Sequence, residues 1–84
     1  MKLAVRTADR IHQGQLDLDP GAERTTTVAD LMVVLRENFK LAPNSDYFVR
    51  SETAGKQLDS FQTLEAAGVK DGDVLEVAPI LQAG

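Results

Sequence analysis

The side chains able to do chemistry in this chain are few: thirteen carboxylates, nine lysines and arginines, one histidine and no cysteine. Without cysteine there is no thiol nucleophile, no thiolate metal site and no disulfide framework. His12 falls in a loop. A general base needs an orienting partner and a nucleophile beside it; the residues around His12 offer neither, and a surface role is expected. Asp17 and Asp19 share one face of a strand, and Asp71 and Asp73 flank Gly72. Either pair could give two oxygens to a cation, but calcium and magnesium need more oxygen ligands than that, so turn and surface roles are expected. No phosphate-binding glycine loop, G-x-S-x-G or H-E-x-x-H is present. These residues predict no catalysis, no metal and no cofactor. Four primary amines, Lys2, Lys40, Lys56 and Lys70, are open to modification, and the sequence does not choose among them.

Composition sets the frame for those groups. At 84 residues, 43% hydrophobic and 26% charged, the chain has room for one core and is too apolar for a disordered tail. A domain of this size buries only about 60–65% of the surface of its unfolded chain. An enclosed catalytic cleft would take contacts from that small core, so a compact binding or carrier domain is expected. The net charge of −4 argues against nucleic acid, which is bound by neutralising phosphates with lysine and arginine. The longest strictly apolar run, Leu31 to Leu35, is far short of the roughly 20 residues of a membrane span. The opening MKLAVRTADR lacks the apolar stretch of a secretory signal, and a cytoplasmic monomer is expected.

Met1 to Thr7 alternates, with Met1, Leu3 and Val5 against Lys2, Ala4 and Arg6, which is the period of a strand with one buried face. Gln15 to Asp19 alternates again, and Pro20-Gly21 ends it; a hairpin with a loop from Ala8 to Gly14 is predicted. Thr27, with Asp30 three residues on, resembles a capping box. Val28, Leu31, Leu35 and Phe39 then recur at helical spacing, with Val33 and Val34 widening the apolar face so that one of them is partly exposed. Ala42-Pro43 is the expected stop. Tyr47 to Arg50 reads as a strand, Lys56 to Leu58 as a brief edge strand, Thr63 to Val69 as one helical turn closed by Gly68, and Val74 to Val77 as the last strand with Leu75 and Val77 inward. Phe48 is out of phase with Tyr47 and Val49, so one set faces solvent. The order predicts an α+β fold, one main helix packed across a mixed sheet of four to five strands. The domain is placed at residues 1–78 and a thin flexible tail at 79–84.

Several of these segments carry a resemblance. MKLAVRT, the helix start Thr27-Val28, the run AGKQL (Ala54 to Leu58), Thr63-Leu64 at its spacing, and Leu75 and Val77 before the chain end together resemble a ubiquitin-like β-grasp protein over nearly the whole chain. The resemblance implies a protein modifier. The carboxylate of Gly84 would be adenylated by an E1-like activating enzyme, which supplies the ATP chemistry, then passed as a thioester to an E2-like conjugating enzyme and joined to an amine of a target protein by an isopeptide bond, with a deconjugating protease to reverse it. Leu81, Gln82 and Ala83 would be read by the activating enzyme; residues 79 to 84 can reach about 20 Å at ~3.3 Å per residue. Phe48, Glu76 and Ala78 stand where the family carries an apolar partner patch, and Lys56 where it carries a chain-forming lysine. The ending Ala83-Gly84 replaces two glycines, and Ile80 and Gln82 replace tail arginines, which implies a dedicated enzyme of the kind encoded beside bacterial ubiquitin-like proteins linked to antiviral defence. Two alternatives stay open: a β-grasp interaction module that is never conjugated, resembling the ubiquitin-like component of type VII secretion, and a sulfur carrier using a terminal thiocarboxylate.

Overall fold

The computed structural model describes residues 1–41 and 46–80. Strand β1 (Lys2–Thr7) buries Leu3, Val5 and Thr7 on one face, as its alternation predicts. Strand β2 (Gln13–Asp17) runs antiparallel to it with Leu3 opposite Leu16. The hairpin loop is shorter than expected, because Gly14 lies inside β2 opposite Val5. What closes the loop early is a turn with its own hydrogen bonds: Arg10 N–H donates to the Thr7 carbonyl at 2.9 Å, and Thr7 N–H donates to the His12 carbonyl at 2.9 Å. The Asp9 carboxylate accepts from the Thr7 hydroxyl and from Ile11 N–H.

Those bonds to Asp9, the Thr7 hydroxyl first and the Ile11 amide second, hold its carboxyl below the ordinary carboxylate value. A folded-state pKa below the unfolded one gives stability that is present above the unfolded pKa and lost as pH falls through the folded one. Asp9→Asn is therefore expected to shrink the stability difference between neutral pH and about pH 3. Urea unfolding at the two pH values checks this; an unchanged difference refutes it.

Helix α1 (Val28–Phe39) begins at a complete capping box: Asp30 N–H donates to Thr27 Oγ1 at 3.1 Å, and Thr27 N–H donates back to the Asp30 carboxylate at 3.3 Å. The first two helical N–H groups go elsewhere, Val28 to the Gln62 carbonyl at 2.9 Å and Ala29 to the Ser60 carbonyl at 3.0 Å. The donors a helix start leaves unpaired are thus satisfied, half by its own cap and half by a distant loop. Thr27→Ala is expected to cost about 1 kcal/mol and Thr27→Ser much less, measured by chemical denaturation. The helix ends at Phe39, before the proline expected to stop it. Lys40 takes a left-handed conformation (φ 51°), and its N–H and that of Leu41 both reach the Arg36 carbonyl. Val28, Leu31 and Leu35 are buried, with Met32 and Phe39 packed against the same core. Val33 and Val34 are both exposed, at 57% and 45%, where the sequence predicted one.

Strands β3 (Tyr47–Ser51), β4 (Lys56–Gln57) and β5 (Val74–Pro79) complete a five-stranded sheet in the order β2-β1-β5-β3-β4. The first and last strands are neighbours at its centre, parallel, with Val5 beside Leu75; every other pairing is antiparallel. Strand β5 runs two residues past the expected Val77. Glu52 N–H bonds to the Val74 carbonyl and Ile80 N–H to the Asp46 carbonyl. Even-numbered residues of β5 therefore bond toward β3, and odd-numbered ones toward β1. Pro79 falls on the β1 side, beyond the Thr7–Val77 register where the pairing closes with Ala8 N–H on the Val77 carbonyl, so its missing N–H removes no ladder bond. Between β4 and β5, residues 63–69 form the expected single turn: Ala67 N–H donates to the Thr63 carbonyl at 2.9 Å, and Gly68 closes it with φ +83°. Leu64 N–H donates to the Thr26 carbonyl, which ties this turn to the helix start. A short 3-10 helix at Ala22–Arg24, which the sequence did not announce, is joined to the same turn by an Arg24–Glu65 ion pair of 3.3 Å.

Candidate functional site

Two places in this fold concern the expected function: the end of β5, and the sheet face turned away from α1. The last described residue, Ile80, is held to Asp46 by its N–H at 2.8 Å. Leu81, Gln82, Ala83 and Gly84, named above for tail recognition and conjugation, lie outside the described residues.

Leu3, Val5, Val49, Leu75 and Val77 face the helix in one core, so the alternation puts Arg6, Phe48, Arg50, Glu76 and Ala78 on the opposite face. Phe48 and Ala78 are direct partners across β3 and β5. Phe48 is half-buried, and Ala78, only 9% exposed, is covered without joining the core cluster. On that face the two residues make one half-buried aromatic ring beside a small covered side chain. Glu76 lies between Arg6 on β1 and Arg50 on β3, each its register partner. Arg6 also pairs with Glu52. That hydrogen bond, with further attraction from Glu52 and Glu76, keeps the Arg6 guanidinium pKa above its ordinary value. Its Nε is buried with no hydrogen-bond partner in the structure. Phe48 and Ala78 thus lie beside a row of alternating charges, Arg6, Glu76 and Arg50, with no nucleophile among them.

Lys56 sits in β4, and its Nζ lies 4.0 Å from where a Cβ on Gly68 would be. His12 stacks on Phe39 with ring centroids 5.8 Å apart. The paired aspartates have turn roles where they bond: Asp71 accepts from Lys2 N–H at 2.6 Å, and Asp73 from Lys70 N–H at 2.9 Å. Among the described residues no group of three histidines, carboxylates or cysteines is placed to hold a metal ion, and no helix is long and apolar enough to cross a membrane.

Sequence reasoning missed one surface. Phe61 is 92% exposed, on a loop beside a groove between α1 and β3 that is lined by Ala29, Met32, Val33, Arg36 and Tyr47. The only available signal was an aromatic residue set among Asp59, Ser60 and Gln62, which does not tell a buried ring from an exposed one.

A single helix laid across a mixed sheet whose first and last strands run parallel at its centre is the ubiquitin-like β-grasp fold. A solved ubiquitin of Caldiarchaeum subterraneum matches at TM-score 0.73 and 26% sequence identity, over 100% of this chain and 98% of that one. A de novo designed protein based on ubiquitin also matches at 0.73, with 24% identity, over 100% of this chain and 94% of the design. No protein-family model and no curated protein sequence matches.

Proposed function

We propose that this chain is a ubiquitin-like protein modifier, activated at the carboxylate of Gly84 and joined to amines of target proteins. The observation that carries the reading is the β-grasp fold shared over the full chain with an archaeal ubiquitin. The course of β5 supports it. This central strand runs to Pro79, with Ile80 N–H still held on the Asp46 carbonyl, so the fold carries the chain to four residues before Gly84. An E1-like enzyme would convert the carboxylate and ATP to an acyl adenylate and pyrophosphate. A cysteine thiolate would displace AMP to give a thioester, and a target lysine would displace the thiolate to give an isopeptide bond. In that sequence this chain supplies a reachable carboxylate, with Leu81, Gln82 and Ala83 to be gripped and Phe48 beside Glu76 to be docked on. The chain itself does no acid–base work. Ala83 and the absent tail arginines call for a dedicated enzyme set, such as those encoded with bacterial ubiquitin-like proteins.

Mass spectrometry of adducts on the tagged chain in its native host tests the reading. The expected result is target peptides whose lysines carry a remnant ending in Ala83-Gly84. If the tagged chain recovers only non-covalent partners and residues 81–84 are dispensable for them, the module that binds without conjugation replaces it. Ala83, where the family has glycine, is the residue that favours that second reading.

A further inference from the structure

We propose that the chain forms a two-fold dimer in which Phe61 of each copy enters the α1–β3 groove of the other. Phe61 is held outward by the backbone on both sides of it. The Ser60 carbonyl accepts from Ala29 N–H and the Gln62 carbonyl from Val28 N–H, while Phe61 N–H donates to the Asp59 carboxylate at 2.9 Å. A ring that is 92% exposed on a backbone fixed at three points is a preformed knob. The groove next to it, between Ala29, Met32, Val33, Arg36 and Tyr47, is open to solvent on one side and has a volume of about 260 Å³. A cavity of about 150 Å³ already accepts a benzene ring. Val33, 57% exposed, forms its outer wall.

Knob and groove lie on one face, because Ser60 belongs to the groove lining and precedes Phe61. A two-fold contact requires that a single patch carry both halves, so that residue i meets j and j meets i. Charge fits the same pairing. Asp59, exposed and two residues from the ring, would come beside Arg36 of the other copy, whose guanidinium lies 5.4 Å from the centroid of its own Tyr47 ring. The two-fold axis makes that attraction twice. The contact rests on one ring and one charge pair from each copy, so a weak association is expected. This departs from the expected monomer and is independent of whether Gly84 is ever conjugated.

Sedimentation equilibrium of the whole chain from about 10 µM to about 1 mM tests it. The expected result is an average mass rising from one chain toward two. Phe61→Ala and Val33→Asp should each hold the mass at one chain. Arg36→Asp should weaken the dimer about tenfold or more, and Asp59→Asn, which keeps an oxygen for Phe61 N–H and removes the charge, should weaken it in the same direction. Thermal unfolding at the lowest concentration should be nearly unchanged in Phe61→Ala, which shows that the loss is one of association and not of folding. A monomer at all concentrations, a dimer indifferent to Phe61→Ala, or a dimer indifferent to both Arg36→Asp and Asp59→Asn would each overturn the proposal.

Discussion

Leu64→Ala is expected to cost about 3–4 kcal/mol, the largest stability loss of any substitution considered for this chain. Leu64 is among the largest side chains with no exposure at all, and it belongs to the same core cluster as Leu35 and Leu75. Its own N–H donates to the Thr26 carbonyl, and its carbonyl accepts from Val69 N–H, so the backbone around it is fixed and cannot close on the space left by the missing side chain. A domain of 84 residues has roughly 4–13 kcal/mol in total, so this one change removes between about a quarter and nearly all of it. Urea unfolding gives the value, with Leu64→Met as the volume-conserving control at under about 1.5 kcal/mol. A loss below about 1 kcal/mol for alanine would mean that the turn at 63–69 is not packed as described.

The second large effect concerns the carboxyl end, under the modifier reading. Deleting Gly84 moves the reacting carboxylate back by about 3.3 Å and puts a Cβ, that of Ala83, on the residue to be activated. Misplacing a reacting group by even 1 Å costs about 10²-fold in rate, so activation and conjugation are expected to fall by at least about 100-fold. Gly84→Ala restores the reach and keeps the Cβ, and so falls between the two. ATP–pyrophosphate exchange by the cognate activating enzyme measures the first step, and adducts on gels the last. Full conjugation by the deletion variant would end the assignment of the reacting carboxylate to Gly84 and leave the fold assignment untouched.

These expectations differ in how much of them the sequence carried. The strands were legible where one face is buried, because period-two alternation follows from the pleat: Leu3, Val5, Leu75 and Val77 all point inward as read. The helix start was legible at Thr27 and Asp30, because a capping box needs only local residues. The misreadings share one cause, which is that partner geometry decided them. Gly14 looks like a turn residue until Val5 is placed opposite it. Lys40 ends the helix in a conformation that lysine does not advertise. Pro79 stays in the sheet because of which side its nitrogen faces, a matter of register with β3. For the site, the sequence put Phe48 out of phase with Tyr47 and Val49 but not which set turns outward; that was decided by Val49 packing into the core, and the covered neighbour at Ala78 by the adjoining strand. The roles given to Gly84 and the residues before it came from resemblance alone.

The placement of β1 beside β5 also has a consequence for synthesis. A ribosome makes β1 well before residues 74–79, yet those two segments are the adjoining middle staves of one sheet. A nascent chain that has not yet released Val74–Pro79 holds two separated fragments with open edges, and contacts of such long sequence separation form late and slowly. The core is therefore completed only when Val74–Pro79 is free to slot between β1 and β3, however early the two flanking strand pairs have formed.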